Sequence, residues 1–328
     1  MKRVTIHDVA RSAGVSRQTV SRALNDKGEI DGGTKQRVLD AARTLGYRPS
    51  RFARGLVRQD TVTIGLVIPD LRNPFFTEIA ASALEAARAR DWHVVVHDTA
   101  DSPEQEIGTL RVIGSQVDAV VGYFSQPEEE IERHVAGLPV VFLGREHHNP
   151  RFSSIRIDGE AGIAAAVDHL VAGGHTRIGM LDHNRRAEPS IRQRWFRAAA
   201  TSAGLVLDPG WILGANQSID GGALAFEALH AAHPEITALL TFNDIIAIGA
   251  LRRARQLGLR IPADLALIGF DGLELGALIE PPLTSVAIDT TRLGTLAIED
   301  VARLLAGERA AAPEDLVVRG ELRLRGSA

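Results

Sequence analysis

Arg17, Gln18 and Arg22 share one chemistry: each carries a forked or planar set of donors that matches the edge of a nucleic-acid base. Arginine can donate two parallel hydrogen bonds to guanine and glutamine can pair with adenine, each good pair being worth about 1–3 kcal/mol of discrimination. Around them stand Thr5, Ser16, Thr19, Ser21, Asn25 and Thr34, whose hydroxyls and amide suit phosphate oxygens, contacts that fix register without reading sequence. A second constellation is spread over the rest of the chain. Arg192, Asn243 and Asp271, with Asp70, Asn73 and Phe75, combine a guanidinium fork, carboxylates, amides and an aromatic face. An arginine with aspartate and asparagine partners can bind several hydroxyls of a sugar at once. Asp70, Asp271 and either Asn243 or Asp244 equally suit helix N-caps, and Phe75 and Phe76 equally suit a core, so both readings stand there. Arg192 is crowded by Arg194 and Arg197, and one of the three reads as surface charge.

The two constellations need different scaffolds. In the first 49 residues Thr5 is placed to cap a helix whose face is Val9, Ala10 and Ala13, and Asp8 sits near its positive end. Gly14-Val15-Ser16 breaks that helix: glycine suits a left-handed turn, valine plugs the core and serine caps the next helix. The second helix spans about 17–24 with Val20, Ala23 and Leu24 inward; a third begins near Thr34, buries Val38, Leu39, Ala42 and Leu45, and stops at Gly46. Two helices joined by a short glycine turn form a helix-turn-helix, the second presenting its N-terminal residues to a major groove.

From residue 61 the pattern changes to short β-branched runs alternating with amphipathic helices. The strand candidates are 62–68, 93–97, 118–123, 140–143, 177–181, 238–242, 265–270 and 284–288; the helix candidates include 75–90, 163–171, 191–203, 221–232, 245–257 and 292–305. Such alternation implies parallel sheets with right-handed crossovers, and so many units exceed one open sheet. The expected architecture is an all-α helix-turn-helix head (1–49), a linker (50–60) and an α/β body (61–328) of two doubly wound parallel-sheet lobes, with a ligand at the strands' carboxyl ends in the cleft.

Charge follows the same division. The 328-residue chain has a net charge of −4, but 13 of its 37 Lys and Arg and only 6 of its 41 Asp and Glu lie in residues 1–60. That segment carries +7 and the remainder −11, the asymmetry expected when only the head meets a polyanion. The absence of cysteine excludes disulfides, zinc–thiolate sites and cysteine nucleophiles. His147-His148 lacks the spacing of a metal site and reads as a solvated loop; His175 reads as structural. No phosphate-binding, dinucleotide or nucleophile-elbow motif is present, so neither enzyme activity nor a cofactor or metal is expected. The N-terminus turns polar before any signal-peptide-like stretch, so the expected location is the cytoplasm.

The stretch from Val4 through Thr5-Ile6-His7-Asp8-Val9-Ala10 and Gly14-Val15-Ser16-Arg17-Gln18-Thr19-Val20-Ser21-Arg22-Ala23-Leu24 to Asn25, continued by Thr34-Lys35 and Leu45-Gly46-Tyr47-Arg48-Pro49, resembles the signature of the LacI/GalR family of transcription regulators. The body resembles the family too, at Ile64-Gly65-Leu66-Val67-Ile68-Pro69-Asp70, Asn73-Pro74-Phe75-Phe76, Gly174-His175-Thr176-Arg177-Ile178-Gly179, Asn243-Asp244, Gly269-Phe270-Asp271 and Pro281-Pro282-Leu283-Thr284. The resemblance implies a periplasmic-binding-protein-like body, effector contacts at Arg192, Asn243 and Asp271, and a hinge helix at 50–58. This basic, glycine-interrupted stretch is marginal alone, so it is expected to fold on DNA with contacts from Arg51, Ala53 and Leu56, and the resemblance implies that Leu56 wedges into the minor groove. Implied partners are a double-stranded operator with an inverted repeat, a second copy of the chain, and a small effector, a sugar or sugar derivative; a protein co-regulator or a purine is the alternative effector. Gly144 stands where many members carry aspartate, Trp195 where glycine is usual, Gln217 where some relatives have a stacking aromatic, and Gly272 where Asp or Asn is frequent. Effector identity therefore does not carry over.

Overall fold

The computed structural model describes residues 6–24, 30–45, 61–135, 137–145, 152–184, 188–308 and 316–328. It divides into two compact units, residues 1–62 and 63–328.

The first unit holds α1 (Ile6–Ala13), α2 (Arg17–Leu24) and α3 (Gly32–Thr44). Gly14 turns the chain at φ +65°, a conformation that costs a residue without Cβ little. Ser16 caps α2, accepting the Thr19 N–H at 3.1 Å. Asp31 caps α3 by accepting the Thr34 N–H at 2.9 Å and the Thr34 hydroxyl at 3.2 Å, so α3 starts two residues before the expected Thr34. The same bonds hold the Asp31 carboxyl below its ordinary value. Val9, Ala10, Val20, Ala23, Val38 and Ala42 close the small core. Thr5, Asn25, the whole linker and His147-His148 lie outside the described residues.

The second unit contains two six-stranded sheets. One has β1 (Thr63–Ile68), β2 (His93–Asp98), β3 (Ala119–Gly122), β4 (Val140–Leu143), β5 (Phe152–Asp158) and β11 (Val317–Arg319) in the order β11-β5-β4-β3-β1-β2, all parallel. The other has β6 (Ile178–His183), β7 (Ile212–Ala215), β8 (Ala238–Thr241), β9 (Ala266–Asp271), β10 (Thr284–Ala287) and β12 (Glu321–Arg323) in the order β12-β10-β9-β8-β6-β7, with β12 alone antiparallel. The fully buried runs of β3, β4 and β8 are what strands covered by helices on both faces require. Helices α4 (Pro74–Arg88), α5 (Pro103–Ile113) and α6 (Glu128–His134) belong to the first lobe. Helices α7 (Glu160–Ala172), α8 (Ile191–Ser202), α9 (Ile219–Ala232) and α10 (Asp244–Gln256) belong to the second.

Four strands, β5, β7, β11 and β12, are absent from the sequence expectation. β5 is interrupted by Ser153, Ser154 and Arg156, and the others are only three or four residues long. Helix α11 (Thr290–Leu305) follows β10 of the second lobe but packs on α4 of the first. Gly294 permits this: a Cβ there would lie 2.0 Å from Ser82 Oγ and 2.6 Å from the Ile79 carbonyl.

The chain thus passes between lobes three times, after β5, after β10 and between β11 and β12. Glycines let the crossings touch. A Cβ on Gly162 would stand 2.5 Å from Val286 and 2.8 Å from the Gly320 carbonyl. The sheet order reverses beside β1 and β3 in one lobe and beside β6 and β8 in the other, the places where crevices open in doubly wound sheets.

Candidate functional site

A cavity of about 470 Å³ opens at those strand ends, within the usual span of small-molecule sites of roughly 300–1,000 Å³. Five of the six expected ligand residues line it: Asn73, Phe75, Arg192, Asn243 and Asp271 do, and Asp70 does not. The Asp70 carboxylate is turned onto its own loop, accepting the Arg72 N–H and Nε at 2.9 Å each. Asn73 and Asn243 line the cavity and also cap helices, a role expected of Asn243 but not of Asn73. Asn73 Oδ1 caps α4 through the Phe75 N–H at 3.1 Å. Asn243 Oδ1 caps α10 through the Ile246 N–H at 3.0 Å, while its Nδ2 donates to Gln217 at 3.3 Å.

Arg192 enters at the start of α8. Ser190 caps that helix by accepting the Gln193 N–H at 3.0 Å, and is itself held by Asp182, which accepts the Ser190 N–H at 3.1 Å. The helix phase turns Arg192 inward, whereas Arg194 remains exposed. The guanidinium lies 4.2 Å from the Phe242 ring centre and 3.8 Å from that of Phe270, donates to the Phe242 carbonyl, and faces Asp271 Oδ1 at 3.6 Å. Burial pushes the guanidinium down and the Asp271 carboxyl well up from their ordinary values, and each charge opposes that push on the other. Asp271 is 3% exposed, sits at φ +121°, and has no hydrogen-bond donor among the described residues. A buried carboxylate so placed is costly unless a donor reaches it. The strained backbone holds it at the strand end, a kind of distortion that concentrates at functional sites.

Sequence reasoning missed much of the first-lobe wall. Tyr123 follows β3 and packs edge-on to Phe76 and Phe75, with ring centres 5.1 and 6.2 Å away. It ends the strand expected at 118–123, so the strand-end rule that picked Asp271 would have found it. Glu106, 3% exposed, accepts the N–H groups of Ser125 and Gln126 and the Ser125 hydroxyl at 2.6 Å, fixing the loop after β3. Arg145 donates to the Gln126 carbonyl at 2.8 Å and covers the Phe142 ring at 4.8 Å. Trp195, noted above only as a departure, lines the cavity beside Gly159.

On the first unit, Ser16, Arg17 and Gln18 are exposed at the start of α2 and Arg22 in its last turn, with Thr19 and Ser21 half-buried between them. Thr34 belongs to the Asp31 cap and accepts from Arg37 at 3.0 Å. His175 bonds Thr237 at 2.9 Å between two second-lobe segments. Among the described residues no cluster of three or more His, Cys, Asp and Glu could hold a metal, and no helix is long and apolar enough to cross a membrane.

A small three-helix unit exposing base-matching side chains, joined to a two-lobed body with a polar cavity between parallel sheets, defines a ligand-responsive DNA-binding regulator. Residues 5–50 match the model for bacterial regulatory proteins of the lacI family, and residues 167–328 match a periplasmic binding protein-like domain. The chain is 32% identical over 301 residues to catabolite control protein A of Priestia megaterium, and equally to the transcriptional repressor PurR of Vibrio vulnificus, covering 90% of each chain in both cases. A LacI-family regulator of Arthrobacter sp. FB24 in complex with lactose superposes with a TM-score of 0.75 and 29% identity, over 82% of this chain and 99% of that one. The lac repressor dimer bound to operator superposes at 0.74 and 26%, over 99% of each chain. The chain belongs to the lacI family of bacterial regulatory proteins; it is a DNA-binding transcriptional regulator with an effector-binding body, not an enzyme.

Proposed function

We propose that this regulator is a cytoplasmic repressor, nucleoid-associated when on its operator, that acts as a homodimer on an inverted repeat and takes a neutral sugar or sugar derivative in its body cavity. The observation that carries the ligand class is the Arg192–Asp271 pair. The guanidinium retains donors beyond the one given to Phe242, and the carboxylate has acceptor capacity but no donor among the described residues. Vicinal hydroxyls satisfy both, while flat aromatic walls suit the C–H face of a sugar ring. The lactose complex of the Arthrobacter protein supports this class. The relatives named for catabolite control and PurR keep a protein co-regulator and a purine as the alternatives.

In the head, Arg17, Gln18 and Arg22 read base edges while Ser16, Thr19, Ser21 and Thr34 hold phosphates. The roles of Thr5, Asn25, Arg51, Ala53 and Leu56 rest on sequence alone. Two-fold symmetry in the protein would be mirrored in the operator. Leu224 and Leu278 of the second lobe, 68% and 82% exposed, offer apolar area for the partner copy. Ligand and operator then change each other's affinity by the same factor. Titration of the full-length protein against a panel of neutral mono- and disaccharides including lactose, with and without a selected operator, tests the scheme. Binding of one sugar with an equal reciprocal effect on DNA affinity is expected. Silence across the panel, with a response to hypoxanthine or guanine instead, would replace the sugar by a purine.

A further inference from the structure

We infer that Tyr123 is the group by which the first lobe reads the ligand, its hydroxyl meeting the same sugar hydroxyl that Asp271 receives from the second lobe. The inference rests on the carbohydrate reading above. Its starting point is an imbalance: the Tyr123 hydroxyl oxygen is buried and has no hydrogen-bond partner among the described residues. Leaving such a group unsatisfied costs about 1–3 kcal/mol, so it calls for a functional explanation.

The ring cannot easily turn away. Phe76 and Phe75 hold it edge-on, and its flank lies over Gly144, where an added Cβ would stand 2.8 Å from Tyr123 Cε1. Gly144 also has φ +74°, a conformation that disfavours a side chain. The two positions are therefore complementary in size. The space that a side chain at 144 would claim is filled by the tyrosine ring.

The phenol faces the charged end of the cavity. Arg192 and Asp271, both from the second lobe, act on it electrostatically, and burial pushes it up from its ordinary value, so it remains a neutral donor and acceptor. The Arg192 charge is already met by Asp271, which suits this end to an uncharged group. Asp271 can only accept, whereas Tyr123 can donate. With the phenol donating, a ligand atom that serves both must donate and accept at once, which a hydroxyl does and an ether or carbonyl oxygen does not. A site built to bond a hydroxyl rejects the analogue lacking it, because its buried polar groups are then left unpaired. Because Tyr123 and Asp271 lie on different lobes, the same hydroxyl ties the lobes together.

The test compares full-length wild type with Tyr123→Phe by isothermal titration, first with the sugar panel including lactose, then with the monodeoxy series of the tightest binder. Tyr123→Phe is expected to weaken the tightest sugar roughly tenfold or more. One monodeoxy derivative should bind both proteins equally, since the hydroxyl it lacks is the one the phenol meets. The unliganded variant should melt no lower than wild type, because the phenol hydroxyl has no protein bond to lose. Gly144→Ala, whose Cβ presses on the ring, should show the same loss of discrimination. Equal affinity of the two proteins for the tightest sugar overturns the inference, as does an equal loss for every deoxy derivative, which would mark the ring as a spacer. Silence of the wild type across the panel overturns the carbohydrate reading and this inference together.

Discussion

Arg192 and Asp271 meet at 3.6 Å on the cavity floor, one from the start of a helix and the other from the end of a strand, with the guanidinium held between Phe242 and Phe270. The pair is flat, buried and charge-balanced. It is a poor source of stability, because desolvation of two charges offsets much of their attraction. Its geometry serves ligand binding better than folding.

Arg192→Lys keeps the charge but loses the planar fork that stacks on two rings and reaches the Phe242 carbonyl. Sugar affinity should fall about 10- to 100-fold, the range for hydrogen bonds to a charged group. Titration calorimetry measures it directly. Retention of wild-type affinity would show that the ligand does not use this arginine.

Asp244 gives the body a pH signature. It is fully buried at the start of α10 and accepts the Leu273 N–H at 2.8 Å and the Ser285 hydroxyl at 2.6 Å. Burial pushes its carboxyl up to about 6, against those bonds and the nearby Arg325 charge. A carboxyl with its folded pKa raised favours the folded state most when protonated, and that contribution is lost as pH rises through 6. The group should stabilise the body by about 1 kcal/mol more at pH 5 than at pH 7. His97 and His175, pushed down by burial, act in the opposite sense as pH falls through the ordinary histidine range. Asp264, held down to about 2 by Arg260, titrates below this window. The difference in melting temperature between wild type and Asp244→Asn, followed from pH 7 to pH 5, reports this carboxyl together with its effect on Asp271, which the Asp244 charge helps to raise; a constant difference would contradict the raised value.

Gly294→Ala places a methyl group 2.0 Å from Ser82 Oγ and 2.6 Å from the Ile79 carbonyl, where α11 crosses α4. Overpacking of this kind costs about 1–3 kcal/mol, and here one of the obstructing atoms is backbone. A lowered denaturation midpoint of the body in urea is expected, and an unchanged midpoint would mean that the two helices separate freely.

Arg22→Ala removes one exposed fork from the α2 surface. Discrimination should relax at a single operator position by about 1–3 kcal/mol, leaving other positions unchanged. Selection of binding sites from a randomised DNA pool reads this out. A uniform loss at all positions would reassign Arg22 to the phosphate backbone.

Much of this architecture was legible in local sequence because its causes are local. Gly14 marks the turn, Ser16 and Asn243 cap the helices that follow them, and alternating β-branched runs announce the principal strands. Asp31 escaped notice as the start of α3, although a cap three residues before Thr34 is also a local signal. Asp70 was misplaced because its position beside a strand end says nothing about its rotamer, which Arg72 decides.

The sequence by itself determined two kinds of scaffold, the base-matching face of α2, the division of charge between head and body, and five of the residues that line the cavity. Tertiary structure alone decided which of three neighbouring arginines turns inward, that Trp195 joins the wall, and that α11 returns to the first lobe. The reason is physical. Caps, turns and periodicity depend on residues a few positions apart, whereas a cavity is made where strand ends and helix phases from distant segments converge. The Tyr123–Gly144 fit shows the difference: neither residue is informative alone, and only packing across β3 and β4 makes one the complement of the other.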